Sequence, residues 1–325
     1  MTKLLTGPRC SLPLMVNPDF NMKPDVKVDG WDSWFVTANL EASGHEFGLL
    51  VHGVRTMATP TDCKTLATAK LTDLFTKRQA SRETAVAHFS ETDSGFSLQG
   101  DDFNWSGDSR EMKALVTLGE GCSLDITLRP YGFVLPYNST GLIPMFGGQY
   151  PNYQYAFPHI EITGSLELDG VKSFIEKGNA WFDRQWAPLP TSARWLWMSV
   201  NLSNGDAIGL WETDMGERYA WATVLHPDGS VTVAETHSLF DNASAFWKGE
   251  KTGISYPSEW RIVIPSLGAD LKVAAQPPFT DIVNIPRLEE VIHVSGKYQG
   301  KDASGRGYVE MIDTNLFKTF TGQNH

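Results

Sequence analysis

Apolar and polar residues alternate along much of this chain in short runs separated by turn residues. Such runs occupy "SWFVTANLEA" (33–42), "HEFGLLVHGVR" (45–55), "MKALVTLGEGCSLDITLRP" (112–130) and "HIEITGSLELDG" (159–170). They continue through "RWLWMSVNLSNGDAIGLWET" (194–213), "RYAWATVLHPDGSVTVAET" (218–236), "SEWRIVIPSLGADLKVAAQ" (258–276) and "VIHVSGKYQGKDASGRGYVEMID" (291–313). A period of two with many β-branched and aromatic residues predicts strands. Asp169-Gly170, Asn204-Gly205 and Pro227-Asp228-Gly229 sit where hairpin turns belong. Helical periodicity is weak. "CKTLATAKLTDLFTKRQASRETA" (63–85) is the best helical candidate, and it also reads as strand. The pattern predicts an all-β protein, a sandwich or a barrel. The meander favours up-and-down barrels, since the Cys…Trp…Cys signature of immunoglobulin sandwiches is absent. The Asp169-Gly170 turn, followed by a fresh motif block, places a division near Gly170, giving units 1–170 and 171–325.

Composition narrows the function. The 325 residues include 11 Trp and 29 Gly. The tryptophans supply aromatic surface that must be buried or must line a cavity. The net charge of −11 argues against nucleic acid, which needs clustered Lys and Arg. No basic run suits an anionic membrane, and no apolar run is long enough to cross a bilayer. Cys10, Cys63 and Cys122 are too few and too scattered for a disulfide framework or a metal cluster. The start of the chain has no clear signal core, so a cytoplasmic protein is expected. The glycosylation sequons at Asn104, Asn138, Asn201 and Asn242 then read as chance matches. No GxGxxG, Walker, GxSxG or HExxH motif occurs, so no cofactor and no metal is expected.

One stretch carries candidate chemistry. "GNAWFDRQW" (178–186) sets Asp183 among Trp181, Phe182 and Trp186. A structural reading has Asp183 capping a turn while the tryptophans plug a barrel end. A chemical reading has aromatic walls desolvating the carboxyl, raising its pKa and keeping it protonated near neutral pH. Such an acid can protonate an alkene, an epoxide or a carbonyl, and the π faces can steady a carbocation. Strand alternation turns Arg184 away from Asp183. Trp195 and Trp197 share one strand face, as do Tyr219 and Trp221, and facing strands would make an aromatic wall or an ordinary core. Glu212 and Asp214 read as solvated turn residues or second carboxylates. "FGGQYPNYQYAFPH" (146–159), with Tyr150, Tyr153 and Tyr155, reads as a loop at a pocket rim or as surface packing.

"GNAWFDRQW", "GWDSWFVTANLEASGHEFG" (30–48), "YPSEWRIVIPSLGADLKV" (256–273) and "GRGYVEM" (305–311) together resemble the AttH-like, carotenoid 1,2-hydratase-like family. This lipocalin-related group includes hydroxyneurosporene synthase, kievitone hydratase and decalin-forming Diels–Alderases. The chain departs from the family pattern in reading Asp32-Ser33-Trp34-Phe35 in the first motif, and in Ala187 after the last Trp of the core. The resemblance implies two lipocalin-like antiparallel β-barrel or β-sandwich units in tandem, with a hydrophobic pocket in or between them. It makes Asp183 the catalytic acid and Trp181 its aromatic partner. It also implies a histidine on the strand before the core, for which His159 is the nearest candidate. Trp34, Gln185, Trp186, Trp197, Trp211, Tyr219, Trp221 and Tyr155 are then the expected substrate-binding residues. The implied function is a cofactor-independent biosynthetic enzyme that cyclises a hydrophobic polyketide, terpenoid or alkaloid intermediate. A hydratase acting on an isoprenoid double bond and a non-catalytic carrier of a hydrophobic ligand are the alternatives.

Overall fold

The computed structural model describes residues 5–6, 14–24, 30–59, 62–86, 88–92, 94–143, 151–188, 194–214, 218–283 and 286–313. Among them two curled antiparallel sheets account for most of the chain. The first runs in the order Gln79–Ala85, Asp62–Asp73, His45–Thr59, Gly30–Ala42, Val171–Pro188, Asn152–Leu168, Cys122–Pro130, Met112–Gly119, Phe103–Gly107, Phe96–Gln99, His88–Glu91. The second runs Leu5–Thr6, Val231–Glu235, Arg218–Leu225, Ala207–Asp214, Arg194–Leu202, Lys301–Asp313, Arg287–Tyr298, Ala269–Ala275, Ser255–Ile264, Ala243–Lys248. The expected all-β fold is what forms. No helix among the described residues is long and apolar enough to cross a membrane.

Two expectations about organisation change. Segment 63–85 is a hairpin of the strands Asp62–Asp73 and Gln79–Ala85. Asp73 Oδ1 accepts from the backbone N–H of Phe75 and Thr76. That Asx turn halts any helix, while threonines at 65, 68 and 72 favour the pleated strand. The Asp169-Gly170 turn is a hairpin too, with both residues at positive φ, 53° and 79°. It joins Asn152–Leu168 to Val171–Pro188 inside the first sheet, so the division expected near Gly170 does not separate the sheets. The "GNAWFDRQW" block is the far end of that hairpin's second strand, and the chain passes to the second sheet only after Pro188. Leu5–Thr6 pairs with Val231–Glu235, so the second sheet also takes in the start of the chain.

Alternation sorts the side chains into three layers. Trp34, Val36, Ala38, Ala180 and Phe182 fill the interior of the first curled sheet. Leu196, Met198, Val200 and Leu210 fill that of the second. The residues between them in sequence, Phe35, Trp181, Trp195, Trp197 and Trp211, point the other way and form a third cluster where the sheets meet. Phe35 meets Trp197 edge-on there, with ring centroids 5.3 Å apart.

Candidate active site

Between the sheets lies a cavity with about 790 Å³ of empty space, counted out to its open mouth. Its first wall is a grid on the outer face of the first sheet. One row across three strands is His52, Phe35 and Asp183, with Phe35 paired to both neighbours. The next row is Val54, Ser33, Gln185 and Gln154. The opposite wall is a row of the second sheet in which Glu289 pairs with Glu310, Glu310 with Trp197, and Trp197 with Trp211. Of that row, Glu310, Trp197 and Trp211 line the cavity.

Asp183 is buried, and burial raises its pKa to about 8, while Trp181, Tyr137 and Gln154 offset this in part by favouring the ionised form. Its Oδ2 accepts from the Tyr137 hydroxyl at 3.4 Å, and that oxygen accepts from the Trp197 indole N–H at 2.9 Å. Oδ1 has no hydrogen-bond partner among the described residues, nor have Trp181 Nε1, Gln154 Oε1 and Trp211 Nε1. Buried polar atoms are nearly always bonded, so a cluster of orphans around one cavity marks a place for a ligand or water. Tyr137 comes from a tight connection in which Asn138 and Ser139 both adopt positive φ. Its ring crosses to the second sheet and lies on Gly209, where a Cβ would come within 2.5 Å of it. Gly209 thus makes room for the hydroxyl that reaches Asp183.

A charged cluster closes another side. Arg287 Nε donates to Glu289 Oε1 at 2.7 Å and lies 3.9 Å from Glu310. Burial and the nearby Glu289 push Glu310 up to about 8, and the Trp195 indole donates to it at 3.1 Å. Against the opposing effect of burial, the Arg287 guanidinium holds Glu289 down. His52 Nε2 bonds Ser33 Oγ at 2.9 Å, and its Nδ1 faces Arg287 at 3.4 Å. Burial lowers the His52 pKa and keeps the ring neutral. His52, Glu289 and Glu310 could offer a metal three ligand atoms within 4.8 Å of one another. The Arg287 guanidinium already neutralises that cluster, and a second cation beside it would be repelled.

The structure brings together only part of the expected site. Asp183, Gln185, Trp197 and Trp211 line the cavity. Trp181 packs edge-on to Trp197 with centroids 6.4 Å apart, just behind the wall. Trp221 stacks on Trp211 at 6.2 Å as a second layer, and Tyr219 is exposed at the strand's start. Trp34, Trp186 and Tyr155 lie on the opposite face, in the interior of the first sheet. There Arg184, as alternation predicts, pairs with Asp32 at 2.5 Å and sits 4.4 Å over Trp34 and 4.9 Å over Trp186. His159 is half-buried, stacks on Tyr131 at 5.8 Å and lies outside the cavity lining. On the strand before the core, Gln154 is the residue that reaches the cavity. Tyr155 belongs to that strand, which begins at Asn152, and not to a loop; Tyr150 falls outside the described residues. Glu212 is neither solvated nor at the cavity. It is buried and accepts from Ser238 and from the backbone of Leu239 and Phe240.

Sequence reading missed Tyr137, His52, Ser33, Arg287 and Glu310. Tyr137 carries no local signal. His52 was visible as a lone imidazole in the apolar run "FGLLVHGV", and "RLEEVIHV" places three charges at the head of an apolar strand.

The AttH-like family profile matches residues 11–314. A putative AttH from Nitrosomonas europaea superposes with a TM-score of 0.72 at 19% identity, covering 96% of this chain and 99% of that one. Kievitone hydratase from Nectria haematococca gives 0.80 at 17% identity, over 94% and 95% of the two chains. CghA gives 0.62 at 13%, over 93% and 94%. These likenesses establish a shared, lipocalin-like fold. A dehydratase of Emericella nidulans, asqC, is 27% identical over 174 residues. That match spans 49% of this chain and about half (50%) of the curated relative.

Proposed function

The chain belongs to the AttH-like family, and from that premise we propose that it is an acid-catalysing enzyme, a hydratase, dehydratase or cyclase of a hydrophobic small molecule. The observation that carries the reading is Asp183: a carboxyl in an aromatic cavity, with no cation partner among the described residues and held protonated to about pH 8. A cavity walled by Phe35, Trp195, Trp197 and Trp211 suits an apolar substrate and offers π faces to positive charge. The names of kievitone hydratase and of the dehydratase asqC fit the same chemistry. In a dehydration, Asp183 gives its proton to the departing hydroxyl, which leaves as water, and the carboxylate takes back a proton from the adjacent carbon. In a hydration the steps reverse. In a cyclisation the proton goes to an alkene, epoxide or carbonyl, and an internal double bond or oxygen closes the ring before a proton is lost.

The test is turnover of a panel of prenylated, terpenoid and polyketide alkenes and tertiary alcohols in H₂¹⁸O, followed by mass spectrometry. Gain or loss of one water, or an isomer of unchanged mass, is expected. Asp183→Asn should slow it by about 10²–10⁴-fold, the usual contribution of a general acid. A folded Asp183→Asn protein that turns over at the wild-type rate would overturn the reading, and ligands returned unchanged would make the protein a carrier.

A further inference from the structure

Ser33, His52 and Arg287 form a chain whose direction can be worked out. A guanidinium only donates hydrogen bonds. His52 Nδ1, which faces an Arg287 N–H at 3.4 Å, is therefore the acceptor. The neutral ring then carries its hydrogen on Nε2 and donates it to Ser33 Oγ at 2.9 Å. Glu289 Oε1 lies 3.7 Å from Nδ1, too far for the opposite arrangement. Phe35, edge-on to the imidazole at 4.8 Å, holds the ring in place. Ser33 is 5% exposed and lines the cavity, and His52 is the hydroxyl's partner among the described residues. With its oxygen accepting from His52, its own O–H is left to donate.

We propose that Ser33, polarised through His52 by Arg287, is a binding station for an acceptor oxygen of the substrate, a carbonyl or ether oxygen in an otherwise apolar molecule. This rests on the reading of the cavity as a substrate site and adds the class of substrate. Ser33 and Asp183 are diagonal neighbours on adjacent antiparallel strands, about 7–8 Å apart. The station therefore fixes which atom of the molecule is presented to the acid. Each bond in the chain lies in a water-poor wall, where aligned donors strengthen one another.

A binding experiment decides it without turnover, so it stands apart from the Asp183 test. The probes are carbonyl-¹³C 2-acetylnaphthalene and 2-isopropylnaphthalene, alike in shape, one with an acceptor oxygen. The ketone should bind about 3- to 10-fold more tightly, the yield of one net hydrogen bond. Its carbonyl stretch should move to lower frequency than in hexane. Ser33→Ala should abolish both effects, and Ser33→Cys, with its weak thiol donor, should keep only a fraction of them. A ketone that binds no tighter than the hydrocarbon overturns the proposal, as does absence of measurable binding by either. An unshifted carbonyl in the wild-type protein overturns it even if the variants fail to fold.

Discussion

Two buried aspartates on neighbouring strands show how differently one fold can treat the same side chain. Asp32 and Asp183 both lie in the first sheet, on Gly30–Ala42 and Val171–Pro188, and both are almost fully buried. Asp32 faces inward and bonds Arg184, which also donates to the backbone carbonyls of Asn21, Lys23 and Gln185. Asp183 faces outward into the intersheet cavity and has a phenol at 3.4 Å and no cation partner among the described residues. The neighbouring arginine cannot serve it, because successive residues of a strand point to opposite faces. The paired carboxylate, through Arg184, ties segments together. An unpaired one in the same depth of protein keeps its proton and becomes an acid.

The largest effect should come from breaking the pair. Arg184→Met leaves Asp32 buried beside a thioether and should cost about 3–5 kcal/mol. Urea unfolding reads this directly. A loss under about 1 kcal/mol would place the pair among those of marginal worth. The second effect is the loss of turnover in Asp183→Asn, read as a single-turnover rate in a variant shown to be folded by circular dichroism.

The third prediction sets the same variant against stability. The folded-state pKa of Asp183 is raised, from 3.8 to about 8. Between those values the native protein holds a proton that the unfolded chain has released. Wild-type stability therefore falls as pH rises through this window, by up to about 1.4 kcal/mol per unit for this group. Asp183→Asn removes that slope. It should be less active yet more stable than wild type at pH 7, with the gain shrinking toward pH 4. Arg184→Met should show no such gain. Equal pH dependence of stability in wild type and Asp183→Asn would erase the contrast between the two aspartates.

The contrast also explains what could be read from the sequence. Met112–Gly119 alternates buried and exposed residues throughout, and such one-sided strands are plain in the pattern. The end of Val171–Pro188 is different: residues 180–187 are all buried, because one face lines the first sheet's interior and the other meets the second sheet. With both faces buried, alternation does not say which face looks into the cavity: Trp186 of this strand turns inward, as do Trp34 and Tyr155 on the two strands that flank it. Of the two adjacent charges in that strand, Asp183 lines the cavity and Arg184 turns inward to Asp32. Tyr137, His52 and Arg287 reach the site from distant strands or a turn. Only the pairing of the sheets brings them there, and no local spacing encodes that.

The smallest expected effect is the most discriminating. Tyr137 donates to Asp183 Oδ2 and accepts from Trp197, so Tyr137→Phe removes one bond from each. The Trp197 indole loses its partner, at a cost near 1 kcal/mol in stability. The hydroxyl favours the ionised carboxylate, so without it the Asp183 pKa goes up, not down. The acid is then present to higher pH and is intrinsically weaker. Turnover at pH 7 should fall by about tenfold or less, since the proton donor itself remains. The alkaline limb of the rate profile, set near pH 8 by Asp183, should move to higher pH. Asp32, on the opposite face, is untouched by this change, and its pair with Arg184 should hold as before. An alkaline limb that stays in place would show that Tyr137 does not tune Asp183. A limb that moves down would mean that the lost hydroxyl had favoured the protonated carboxyl, reversing the sign on which this account of the site depends.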